Sequence, residues 1–155
     1  MFTTDQTLLV RAEAYALLGN YAAAVADLNT EVKAVSSGAL SVTLAQIKSF
    51  YTAIDYYTPT KPTPKKKFNT TFTIEKNTQE PVLQAILQLR RTLTLGEGTR
   101  LQDVKRYGIV IYRRLLNARK QVLAVADTLK TDDPRRAIQL PQDVITAGLP
   151  ANPRK

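Results

Sequence analysis

The chain has 155 residues, enough for one domain with a real core, and 44% of them are hydrophobic, too many for general disorder. It contains neither cysteine nor histidine, which removes disulfides, thiol nucleophiles, thiolate metal sites and the commonest general base and metal ligand. Its net charge of +9 is unevenly placed: residues 1–60 sum to −2 and residues 61–155 to +11. Such asymmetry can mark a polyanion partner, but the basic residues are dispersed and no recognition motif accompanies them, so nucleic acid is not expected.

No uninterrupted apolar run approaches the roughly 18 residues of a membrane span. Met1-Phe2-Thr3-Thr4-Asp5 has no basic patch leading into an apolar stretch, so it is not a secretory signal. Two readings follow: a cytoplasmic chain, or a chain whose natural beginning lies upstream.

Residues 5–36 read as two helices. Leu8, Leu9, Ala12, Tyr15 and Ala16 repeat at helical spacing, and Gly19-Asn20 interrupts them as a tight turn would. The second helix begins near Tyr21. Its run Ala22 to Ala26 has small side chains that allow close approach of a neighbour, Leu28 and Val32 extend the face, and Ser36-Ser37-Gly38 ends it. A third helix is expected from Thr43 to Tyr57, with Leu44, Ile47, Phe50, Tyr51 and Ile54 as its stripe. Tyr51, Tyr56 and Tyr57 gather near its end. Tyr56 and Tyr57 are the candidate sugar-stacking residues, set against a plainer role as core or rim phenols.

Residues 58–67 combine three prolines with four lysines and read as a solvated loop, the competing reading being an anion clamp. Phe68 to Glu75 reads as extended. Thr78 is the expected N-cap of a fourth helix, with Glu80 and Pro81 in its first turn and Val82, Leu83, Ile86, Leu87, Leu89 and Leu93 inward. A short helix follows at Leu101–Arg106 and stops at Gly108. Residues 109–129 fit two readings. We favour a strand pair turning near Asn117-Ala118-Arg119, while Leu115 to Leu129 also fits a helix. Asp132-Asp133-Pro134 is a turn, Ala137 to Leu140 is extended, and a last helical turn runs from Pro141 to Gly148 before a frayed tail.

The pattern Tyr15-x3-Gly19-x-Tyr21-x2-Ala24-x3-Leu28 resembles one tetratricopeptide repeat. Further on, Glu97-Gly98-Thr99-Arg100-Leu101-Gln102-Asp103-Val104-Lys105-Arg106-Tyr107-Gly108 resembles the SusD/RagB family's Glu-Gly-x-Arg-aromatic-aromatic-Asp-x-Lys/Arg-Arg-x-Gly segment. Arg90-Arg91 precede it at a helix end, as in the family. Asp133-Pro134-Arg135-Arg136-Ala137-Ile138-Gln139-Leu140-Pro141-Gln142, with Asn152-Pro153, resembles the family's close. Leu101-Gln102 stand where the family has an aromatic pair, and the family's lipoprotein signal and greater length are not seen here.

The resemblance implies a mainly α fold: a tetratricopeptide-like hairpin, further helices, long irregular loops and a small β-hairpin. On this reading residues 1–155 are a single C-terminal SusD/RagB-like region: 1–57 helical, 58–76 a basic proline-rich loop and extended segment, and 77–155 a helix plus an irregular part. It also implies a non-enzymatic nutrient-binding protein, lipid-anchored on the outer face of the outer membrane in Bacteroidetes-type bacteria. The implied partners are a SusC-type TonB-dependent transporter and an oligosaccharide or other nutrient. No catalytic residue, metal or cofactor is expected, and ligand contacts are not carried over. A free-standing tetratricopeptide-like interaction module is the alternative.

Arg100, Asp103 and Arg106 lie three apart, so a helix puts them on one side, where Asp103 can pair with either arginine. They are expected to anchor structure. If the chain is cut from a larger protein, Tyr15, Tyr51, Tyr56, Tyr57 and the apolar face of the third helix should be exposed and pair two copies of the chain.

Overall fold

The computed structural model describes residues 3–37 and 40–154. They form six α-helices and one two-stranded antiparallel sheet: α1 (Thr4–Leu17), α2 (Tyr21–Val35), α3 (Leu44–Ala53), α4 (Gln79–Leu93), α5 (Arg100–Arg106), β1 (Ile111–Leu116), β2 (Val122–Leu129) and α6 (Gln142–Thr146). A 3-10 turn at Pro134–Arg136 precedes α6. The mainly α expectation holds, and the strand pair is the correct reading of residues 109–129. Gly38, expected to help end α2, and Lys155 lie outside the described residues.

The core is built where α4 lies against α1, α2 and α3. Ala12, Ala16 and Ala24 are fully buried between α1 and α2, which lets two backbones come close without a cavity between them. Gly19 carries a positive φ of 79° and makes the turn between these helices. Val82, Leu83 and Ile86 fill the centre from α4, and Val104, Tyr107 and Ile109 close the core from the α5 side.

Side chains finish the helix ends. The Thr3 hydroxyl accepts from Gln6 N at 3.2 Å, and Asn20 Oδ1 accepts from Ala23 N at 3.2 Å. Thr43 and Gln46 form a reciprocal capping box at α3. For α4 the expectation is corrected. Thr78 makes no side-chain cap; the Glu75 carboxylate accepts from the amides of Asn77, Thr78 and Gln79 instead. An anion is favoured there by three otherwise orphaned donors, and those bonds hold Glu75 below the usual carboxylate range. Gln79 then donates from Nε2 to the carbonyls of Ala16 and Leu17, so the start of α4 closes the end of α1.

Two further expectations are corrected. The third helix stops at Ala53 rather than Tyr57, because the chain turns out to meet the returning proline loop: Tyr57 N donates to Lys65 O at 2.8 Å and Lys65 Nζ to Ile54 O at 3.3 Å. Residues 68–75 run without helix or strand. Phe68 packs on Tyr107 at 4.8 Å between ring centroids, Ile74 is buried, and Asn69 N donates to Tyr107 O. Tyr51 is 4% exposed, so it is core and cannot belong to an exposed tyrosine patch.

The sheet pairs Ile111 with Leu129 and Leu116 with Val122, with two register irregularities. Asn117 Oδ1 ties the turn by accepting from Arg119 N and Gln121 N at 2.9 Å. The hairpin stands clear of the core, with Leu115, Leu116 and Leu123 exposed.

Gly108 ends α5 at φ 58°, and a Cβ there would sit 2.1 Å from the Asn69 carbonyl oxygen. Gly108→Ala should therefore cost about 3 kcal/mol or more, combining a left-handed backbone with a forced shift of packed main chain. Gly19→Ala, at φ 79° in open space, should cost only about 1 kcal/mol. Denaturant midpoints of the two variants check the ranking.

Candidate functional site

Two charged assemblies stand out, and they differ in how their charge is balanced. The first is buried and closed. Arg90 reaches from α4 to Glu13 Oε2 of α1 at 2.5 Å and to Asp103 Oδ1 of α5 at 2.7 Å. Tyr107 donates its hydroxyl to Glu13 Oε1 at 2.5 Å. Burial works against the Arg90 charge, but Glu13 and Asp103 more than offset it and hold the guanidinium protonated. Burial is also the main cause that raises the Tyr107 phenol, with Glu13 adding to it.

The expected trio of Arg100, Asp103 and Arg106 divides here. Asp103 takes Arg90 as its close partner and Arg100 at 3.5 Å, while Arg106 turns to Glu13 Oε1 at 3.1 Å. Of the two arginines open to Asp103, it takes Arg100. Arg90 is the centre of the group, and it was passed over because its partners lie 77 residues before it and 13 after it.

The second assembly is an open cleft of about 510 Å³, a size suited to a small ligand. The proline loop, α4, α5 and the start of β1 form its walls. Four cations line it: Lys66, Arg91, Arg100 and Arg114. No carboxylate is among its described lining residues. Arg114 is oriented by three neutral acceptors, the Tyr57 hydroxyl, Thr58 O and Pro59 O. Lys66 donates to Thr63 O at 2.6 Å and lies 3.5 Å from the Tyr57 ring centroid. Its backbone is held by Gln84, whose amide bonds both Lys66 N and Lys66 O.

The proline loop is thus more than a solvated connector. Lys61 and Lys67 face solvent, but Lys65 and Lys66 fold back over Tyr56 and Tyr57. The two candidate tyrosines are both engaged. Tyr56 donates its hydroxyl to buried Glu80 at 2.7 Å and carries Lys65 at 4.4 Å. Tyr57 stacks on Tyr112 at 5.4 Å and carries Lys66 and Arg114. Their rings serve the cations that shape the cleft.

Burial first, then repulsion from Arg91, Arg100 and Arg114, push the Lys66 ammonium down to about 7 from an ordinary 10.5. Among the described residues no cluster of carboxylates could hold a metal ion, and no helix is long and apolar enough to cross a membrane.

Two outcomes follow. Arg90→Met removes the cation shared by the buried carboxylates of Glu13 and Asp103 and should cost about 3–5 kcal/mol in denaturant unfolding; adding Glu13→Gln and Asp103→Asn should recover part of that loss. For Lys66, the depressed folded value means that the unfolded chain binds the extra proton between pH 7 and about 10. Stability should rise from pH 7 to pH 9, read as melting temperature, and Lys66→Met should flatten the rise. The groups facing Lys66 in that window are Arg91 from α4, Arg100 from α5, and Arg114 and Tyr57 beside it. Above pH 10 buried Tyr51 and half-buried Tyr56, pushed up to about 12, reverse the slope.

Comparison of the chain with protein-family models, with curated proteins and with solved structures returned no match.

Proposed function

We propose that this chain is the C-terminal region of a SusD/RagB-type nutrient-binding protein, a non-enzymatic component that works beside a SusC-type TonB-dependent transporter at the outer membrane. One observation carries the reading. The separate segments that resemble the family meet in one place. Glu13 comes from the helical hairpin, Arg90 from the helix before the motif, and Asp103, Arg106 and Tyr107 from the motif itself. The closing segment joins them: Arg136 is buried and donates to Val104 O at 2.8 Å and Ile109 O at 2.6 Å. The residues of the resemblance are therefore those that lock helix to helix, as expected of a shared scaffold, and the ligand is left to surfaces beyond that cluster.

The test is association. The protein encoded by the complete gene should co-purify in detergent with the transporter encoded at the same locus, and should bind one class of oligosaccharide in a calorimetric panel. A locus without a transporter gene, together with no saccharide binding, would overturn the proposal and favour the free-standing tetratricopeptide-like interaction module.

A further inference from the structure

We propose that the cleft lined by Lys66, Arg91, Arg100 and Arg114 is a binding site for the oxyanion group of a small ligand, a carboxylate, sulfate or phosphate. The inference goes beyond the family reading and does not depend on it. It rests on how these cations are held.

Elsewhere two guanidiniums are neutralised by acids, and buried Arg136 spends its donors on the carbonyls of Lys130, Val104 and Ile109. Arg90 has Glu13 and Asp103, and Arg135 has Asp127 and Asp133. In the cleft, position and neutralisation are separated. Arg114 and Lys66 are fixed by carbonyls, a hydroxyl and a ring face, all of which orient a cation without cancelling its charge. The Arg91 side chain, exposed on α4, has no ion pair or hydrogen bond among the described residues and lines the cleft. Arg100 has its nearest acid, Asp103, at 3.5 Å, and that acid is already committed to Arg90 at 2.7 Å; the buried Arg100 Nη1 has no hydrogen-bond partner.

Four like charges in a recess raise one another's energy, and low-dielectric walls strengthen the effect. Burial first, and then that repulsion, lower the Lys66 ammonium. A bound oxyanion removes the repulsion. Arginine forks suit two oxygens of one such group, and the Gln88 side chain adds a neutral donor on the same wall. The cations come from four elements spread over residues 66–114, so the site is a product of the tertiary fold and not of a charged run.

The test is a 15N-resolved titration of the whole chain at constant ionic strength, set by chloride. The probes are inorganic sulfate, inorganic phosphate, glucuronate and, as a neutral control, glucose. The expected result is saturable shifts at residues 62–66, 88–91 and 109–114 with at least one anion, and none with glucose. Sulfate or phosphate alone would assign a tetrahedral oxyanion, and tighter binding of glucuronate would assign an acidic sugar. Arg91→Gln and Lys66→Met should each weaken binding about tenfold or more, the loss of one charge-assisted contact. Arg119→Gln, at the far turn of the hairpin, should leave it unchanged. Linear shifts spread over the basic half of the chain, or an Arg91→Gln variant that binds as well as the parent, would overturn the proposal. Failure here leaves the transporter association untouched, and failure of that association leaves this titration untouched.

Discussion

The contact of Arg90 with Glu13 and Asp103 is the constraint on which the rest of the molecule depends. It ties α1, α4 and α5 at one point, and its value is in selection rather than net stabilisation. A buried ion group gives back in attraction roughly what it costs in lost hydration, but any other docking of α5 leaves charges buried without partners. With α5 fixed, Tyr107 reaches Glu13, Gly108 can lie against Asn69, and Arg136 can bond the carbonyls of Val104 and Ile109. Each later contact presupposes the earlier one.

Side-chain amides do for the irregular segments what strands would do elsewhere. Asn29 pairs with both backbone groups of Val42, and Gln84 with both of Lys66. Gln139 and Asn152 repeat the device near the C-terminus. Buried main chain must have its polar groups satisfied, and a primary amide offers one donor and one acceptor at the right spacing. That is how the proline loop and residues 68–75 stay ordered without a sheet.

This also marks what the sequence could and could not tell. The α1–α2 hairpin was legible because apolar spacing, small residues and Gly19 agree. The strand pair was legible in the β-branched run Ile109-Val110-Ile111, though periodicity alone left a helix open. The end of α3 was not legible, since nothing local stops it; residues 54–57 leave the helix to pair with a loop that returns eight or more residues later. The Glu75 cap was hidden by the more usual Thr78. The cleft was hidden for a different reason. Its lysine was visible in the loop and its arginines in separate helices and a strand, but only the folded chain puts Lys66 beside Arg91, Arg100 and Arg114 without an acid among them.

Arg114 has a consequence for the order in which the chain assembles. Its guanidinium bonds Tyr57, Thr58 and Pro59, and so closes a ring of chain with a sequence separation of 57 residues at its Tyr57 contact. Closing so long a segment is entropically costly until α4 and α5, which lie inside it, have already brought its ends together. The ring therefore shuts late in folding. Contacts made after the rate-limiting step do little for the speed of folding and act instead on the rate of opening. In this molecule the same guanidinium that lines the cleft is also a latch, and the strength of that latch is written in the lifetime of the native state.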